Sequence, residues 1–219
     1  MNREVQNEIP TMLEAVMGDS AAQAYVPAGD LVFRAGEAPT IALIRAGVVR
    51  VFIRTGAGRQ LTIHYARRGD LIGLAPLLGG ASTWNVEAIV DTTLAVVTIE
   101  QIRAAATLHP ELPWLIAELI ATGACDSVRV LADNSVQPMA ARVARHLCEM
   151  ALRTPDGRAV ARISHQRLAD AVGTVREVIT RQLRTLVVDG VIDTRPGRVI
   201  VVNEERLAGI AAGRLLDVM

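Results

Sequence analysis

The chain has 219 residues, 51% of them apolar, with 23 basic residues against 23 acidic ones. That is enough chain for two domains with separate cores, and a net charge of zero gives no bulk attraction to a polyanion. Cys125 and Cys148 are too few and too far apart for a zinc site or disulfide framework, no apolar run nears membrane-spanning length, and MNREVQNEIP lacks the basic-then-apolar order of a signal peptide, so a cytoplasmic protein with no membrane or metal partner is expected.

Residues 1 to about 24 suggest one or two short amphipathic helices. From Val26 to Ile99 the texture changes to short runs rich in Val, Ile and Thr, punctuated by glycine. Asp30 to Phe33, Ala46 to Ile53, Gln60 to Tyr65 and the stretch from Val86 to Ile99 are strand-like, with turns at Thr55-Gly56-Ala57-Gly58 and Arg68-Gly69-Asp70. Regular short strands with turns between them predict an antiparallel β-roll. After Ile99 the pattern is helical, and a long helix is expected from His109 to about Asp133. Ala117, Ile120, Ala124, Ser127 and Leu131 recur every three or four residues, a narrow seam suited to packing on a symmetry mate. A break at 133–138 then separates this helix from another over Met139 to Leu152. The expected organisation is α+β: a sensor roll over 1–108, a dimerisation helix and hinge over 109–137, and a C-terminal domain over 138–219.

That last domain carries the most specific signal. Ser164 is a good N-cap for a helix from His165 to Val172, whose Leu168, Ala171 and Val172 form one apolar stripe. Gly173 permits a tight turn, and Thr174, with Glu177 three residues on, has capping-box spacing for a second helix. Val175, Val178, Ile179, Leu183 and Leu186 are expected inward; Arg176, Glu177, Thr180, Arg181 and Arg184 are left outward. Two helices about a glycine turn make a helix-turn-helix, and an exposed helix so equipped suits the major groove. There a guanidinium bonds guanine O6 and N7 together, while a carboxylate accepts from a cytosine amino group. Asp189-Gly190 is a turn signal, and Val191 to Thr194 and Val199 to Val202 read as strands joined by Arg195-Pro196-Gly197-Arg198. This basic-tipped hairpin completes a winged helix, with Arg195 and Arg198 placed for phosphates. Residues 203–219 suggest a closing helix. The charge distribution agrees: residues 138–219 hold 13 arginines against 9 acidic residues, whereas 1–137 hold 10 against 14.

The order of roll, long helix and winged helix resembles the cAMP receptor protein/FNR (Crp/Fnr) family of bacterial transcription regulators, and GTVREVITRQLRTLVVDGVI is similar to that family's recognition helix and wing. The resemblance implies a homodimer on a palindromic operator of double-stranded DNA, with base contacts from Arg176, Glu177 and Arg181. It also implies backbone contacts from Ser164, His165 and Gln166, a set that Thr174 joins. An activator of this kind would also meet RNA polymerase, through surface loops such as Thr154 to Arg158. In cyclic-nucleotide-binding members the roll ends in a phosphate cassette, whose entrance Arg68 to Gly73 matches. Leu74 stands in place of its glutamate, however, and Ser82-Thr83-Trp84-Asn85 in place of its arginine. No charged residue occurs between Ile72 and Val86, so cAMP or cGMP would lack a counter-charge. Cyclic-nucleotide, haem and redox sensing are the alternatives, with His64 and Cys125 as candidate sensing residues and Cys125 expected to be a buried inert thiol. The expected pocket comprises Gly73, Leu74, Leu77, Leu78, Trp84, Asn85, Ser127 and Val128; it holds an uncharged or apolar small-molecule effector, or its own side chains fill it and the dimer binds DNA without a ligand. A winged helix that contacts protein is the remaining binding alternative, to be distinguished by salt dependence. No Ser-His-Asp order, phosphate loop, HExxH or dinucleotide fingerprint occurs, so no catalytic residue is expected.

Overall fold

The computed structural model describes residues 8–14, 22–37, 41–54, 56, 60–74 and 83–213. The chain forms two compact units, Met1–Ile53 with Ile63–Val130 and Arg54–Thr62 with Leu131–Met219.

The first unit is built on two four-stranded antiparallel sheets. One runs in the order β1 (Gln23–Val26), β8 (Thr92–Val97), β3 (Ile41–Ala46), β6 (Leu71–Ile72). The other runs β2 (Leu31–Phe33), β7 (Asn85–Ala88), β4 (Val48–Arg54), β5 (Gln60–Arg67). Between the sheets, Ala42, Ile44, Ile72 and Leu94 pack with Val49, Val51, Ala66 and Val86. The alternate residues of the first sheet, Ile41, Leu43, Ala95 and Val97, face away from this layer. They meet Ile9 and Leu13 of α1 (8–14), Ala105 of α2 (Ile99–Leu108), and Leu112 and Ile116 of α3 (Leu112–Val136). Both faces of β3 are therefore buried, which is why its sequence shows no alternation. Each fully buried Ile or Leu here contributes about 1.5–3 kcal/mol.

On the outer face of the second sheet, Arg50 and Glu87 sit opposite each other in the ladder and form a 2.7 Å ion pair. The same guanidinium lies 4.3 Å from the Phe52 ring centroid. Between β3 and β4, Gly47 has φ +102, and a Cβ there would lie 2.4 Å from Thr92 Oγ1 and 2.8 Å from the Asp91 carbonyl. Gly47→Ala should therefore lose about 1–3 kcal/mol of stability, read as a lower urea midpoint for this unit. α2 begins at a capping box in which Thr98 Oγ1 accepts from Gln101 N and Gln101 Oε1 accepts from Thr98 N.

The second unit contains α4 (Met139–Met150), α5 (His165–Val172), α6 (Arg176–Val188) and α7 (Glu204–Ala211), with a sheet in the order β11 (Ile192–Arg195), β12 (Arg198–Val201), β10 (Ala159–Ala161), β9 (Leu152–Arg153). Val143, Leu147, Leu168, Ile179, Leu183 and Leu207 are all 2% exposed or less and form its core.

Several sequence expectations need correction. β1 starts in the last residues of the stretch expected to be helical, β3 precedes the strand predicted from Ala46, and β9 and β10, which the sequence does not announce, flank the Thr154 to Arg158 loop. The segment after Ile99 is two helices, and α3 runs on to Val136, so the break lies at Gln137–Pro138 rather than across 133–138.

Candidate nucleic-acid interface and interior cavity

Ser164 caps α5, its Oγ accepting from Arg167 N at 3.2 Å. The helix ends in Gly173 at φ 75, with Gly173 N bonded to the Asp170 carbonyl and Thr174 N to the Ala169 carbonyl. That pair of bonds is a Schellman closure, and it needs the left-handed residue that glycine supplies. Thr174 is thus engaged in ending α5. The residue before α6 is Val175, which makes no side-chain cap and is 57% exposed, contrary to the expected capping box and inward valine. Arg142 of α4 donates to the Val172 carbonyl, tying down the same helix end; burial, then neighbouring Arg145, lowers its pKa.

α6 places Ile179, Leu183 and Leu186 in the core and leaves Arg176, Glu177, Thr180, Arg181 and Arg184 exposed. The side chains of Arg176, Glu177, Arg181 and Arg184 have no hydrogen bond or ion pair among the described residues. Arg176 and Arg181 are about 7.5 Å apart along the axis, near two base-pair steps. Thr180 is held differently. Its hydroxyl donates to the Arg176 carbonyl at 3.0 Å, and His165 Nδ1 lies 3.0 Å from the same oxygen. With the hydroxyl hydrogen committed, the ring nitrogen is the donor, and the two helices are joined across the turn. Sequence periodicity gives no sign of this contact.

Of the expected backbone-contacting side chains, Gln166 Nε2 donates to Asp170 Oδ1 at 2.9 Å, and Arg195 pairs with Asp193 at 3.0 Å. Arg198 is exposed beside Arg195 in the register of β11 and β12, with Gly197 at φ 72 forming the tip.

The first unit contains a partly open cavity of about 480 Å³. Ile63, Ile72, Leu74, Val86, Leu119 and Ile120 contribute apolar walls; His64, Asp70, Trp84, Asp126 and Ser127 are the polar and aromatic contributors that matter to its chemistry. Burial pushes the Asp70 carboxyl up, although its Oδ2 accepts from Arg67 N at 2.8 Å. Desolvation lowers His64 while the Asp126 carboxylate raises it. The His64 side chain is exposed to solvent, which screens both effects.

Residues 141–210 match the Crp-like helix-turn-helix domain, and residues 23–108 match the cyclic nucleotide-binding domain. The chain is 30% identical over 189 residues to the cyclic AMP receptor protein of Thermus thermophilus, covering 85% of this chain and 87% of that protein. The chain belongs to the Crp/Fnr family of transcription regulators. Another similar member, the cAMP-activated global transcriptional regulator Vfr of Pseudomonas aeruginosa, is 24% identical over 87% of this chain and 92% of its own. The solved structure of a CRP/FNR-family transcriptional regulator from Thermus thermophilus superposes with TM-score 0.71 at 25% identity, over 88% of this chain and all of that one. As a Crp/Fnr regulator, the chain is α+β, carries a helix-turn-helix DNA-binding domain and is not an enzyme. Among the described residues, no helix is long and apolar enough to cross a membrane.

Within this Crp/Fnr chain the structure redistributes several expected site residues. Gly73, Leu74, Trp84 and Ser127 line the cavity as expected. Asn85 does not: it is 7% exposed, and its Oδ1 accepts from Ala35 N at 3.2 Å. Val128 is 67% exposed and forms no part of the lining, because it is turned roughly a quarter of the way round α3 from Ile120 and Ser127. Leu77 and Leu78 lie outside the described residues. Of the expected seam, Ile120, Ala124 and Ser127 line the cavity of their own unit, Ala117 is exposed, and the Leu131 side chain lies outside the described residues. Cys125 is exposed rather than buried. Cys148 also reaches the surface, yet desolvation and the Glu149 and Glu204 carboxylates push its thiol up, away from reactivity.

Proposed function

We propose that this regulator binds a palindromic operator as a homodimer, reading base edges with Arg176, Glu177 and Arg181 of α6. The observation that carries this reading is the row of charged side chains on α6, exposed and without partners among the described residues. A folded chain that leaves guanidiniums unpaired on one helix keeps their donors available for guanine and phosphate. Arg198 at the wing, His165, and the backbone about Ser164, Gln166 and Thr174 supply phosphate contacts. Arg195 joins them after exchanging Asp193 for a phosphate.

Two-fold pairing is assigned to the exposed face of α3. Trp114 at 77% and Val128 at 67% exposure stand two heptads apart, with Ala121 midway and Ala117 and Ala124 beside them. This stripe is rotated from the expected seam, and it fits a two-helix interface in which small residues allow close approach. Dimerisation would set the two α6 helices one DNA turn apart, about 34–36 Å. Contact with RNA polymerase is assigned to the β9–β10 turn, where Arg158 pairs with Asp156 at 2.5 Å and Arg153 donates to the Gly157 carbonyl at 2.7 Å.

A cyclic nucleotide is not the effector in this reading, since the stretch Ile72 to Val86 offers its phosphate no cation. Calorimetric titration with cAMP should give no heat of binding at ligand concentrations up to the high micromolar range; micromolar binding would contradict the assignment. The DNA-reading proposal is tested by fluorescence anisotropy on a selected operator across a salt series. Affinity should fall steeply and linearly in log–log form, by about tenfold for each tenfold rise in salt per phosphate neutralised. A salt-independent affinity would instead favour protein contacts by the wing.

A further inference from the structure

The cavity of the first unit is apolar on most sides and acidic where it is charged. Among the described lining residues the charged groups are Asp70 and Asp126, and no arginine accompanies them. The sequence between Ile72 and Val86 brings none either. We propose that this cavity takes an uncharged, mainly apolar small molecule that presents a hydrogen-bond donor to the α3 wall. The proposal deepens the regulator reading by naming the class of effector, and it rests on that reading only for the effector's purpose.

The hydrogen-bond inventory of the α3 wall sets the ligand's polarity. Ser127 Oγ already donates to the Gly123 carbonyl at 2.8 Å, so what it offers the cavity is a lone pair. Asp126 Oδ1 is 2.5 Å from Arg129, while its Oδ2 has no partner among the described residues. Across from them on β5, His64 has no hydrogen-bond partner among the described residues and offers one acceptor nitrogen when neutral. Acceptors therefore outnumber donors at this end. A hydroxyl, amide N–H or aryl amine satisfies them; a carboxylate or phosphate would be stripped of water among apolar walls with no arginine of the lining to meet its charge. A fixed cation is disfavoured because Arg129 already neutralises Asp126, and the remaining walls, Ile63, Ile72 and Ile120 among them, would strip its hydration. The volume, about 480 Å³, is that of a small-molecule site.

The test uses the full chain and two fluorescent probes that differ by one charge. N-phenyl-1-naphthylamine is neutral and carries a single N–H donor; 8-anilinonaphthalene-1-sulfonate adds a sulfonate to a similar skeleton. The neutral dye should bind saturably with enhanced emission, at least tenfold more tightly than the sulfonate, and cAMP should not displace it. Ile120→Trp and, independently, Leu119→Trp should fill the space and weaken the neutral dye tenfold or more, with circular dichroism showing each variant folded. Equal or tighter binding of the sulfonate, displacement by cAMP, no saturable binding of the neutral dye, or binding indifferent to both folded variants would each overturn the proposal. Operator anisotropy on the same samples separates the two readings: a wild-type chain that ignores DNA refutes the regulator's DNA contacts, whereas a dye result bears on the cavity alone.

Discussion

Arg176→Ala and Arg181→Ala should each weaken operator binding by about 1–3 kcal/mol per half-site, and so by about twice that on a two-fold site. The expectation follows from where these side chains sit. Both are exposed on α6, neither is engaged among the described residues, and truncating either removes no core contact. Melting temperatures should therefore stay close to wild type while anisotropy titrations shift. Binding to unrelated DNA should change much less, because a base contact contributes to specificity and a phosphate contact to affinity in general. Glu177→Ala should relax discrimination at the base pair it contacts. Unchanged operator affinity in both arginine variants would remove them from the reading surface.

Ile179→Ala should cost about 2–5 kcal/mol, and Ile179→Val only about 0.5–1.5 kcal/mol. Ile179 is 0% exposed on the inward side of α6, among core residues that include Leu168 and Leu183. Truncating its side chain to a methyl leaves a void where the helix-turn-helix gains its rigidity. The loss should be read from the unfolding transition of the second unit, since a two-unit chain does not unfold as one cooperative body. DNA affinity should fall with the folded fraction and recover on cooling, unlike the arginine variants, whose defect persists in fully folded protein. A graded Val–Ala series with no change in stability would show that α6 is not anchored through this residue.

The helix-turn-helix was legible because its signals are local. Ser164 caps, Gly173 turns, and the apolar spacing of Leu168, Ala171 and Val172 repeats at the helical period. Thr174 misleads: a hydroxyl three residues before a glutamate has capping-box spacing, but the Thr174 amide is taken by the Ala169 carbonyl in closing α5. Competition between ending one helix and starting the next is invisible to a pattern. β9 and β10 escape a sequence reading because two and three residues carry no periodicity; they are strands only because β12 pairs with β10. β3 escapes for the opposite reason, since a strand buried on both faces shows an unbroken apolar run. On α3, a repeat of three and four residues has two apolar sides, and spacing alone does not tell the cavity-facing Ile120 and Ser127 from the exposed Trp114, Ala121 and Val128. Asn85 is expected in the pocket because of its neighbour Trp84, whereas adjacent strand residues point to opposite faces.

One measurement bears most directly on the claim that α6 reads DNA twice over from a symmetric dimer: selection of bound sequences from random duplexes by the purified chain, followed by counting protomers per duplex. The enriched site should be an inverted repeat whose half-site centres lie about 10 base pairs apart, or a multiple of that, with two protomers bound. Enrichment of a single unrepeated element bound by one protomer, or no enrichment at all, would contradict it.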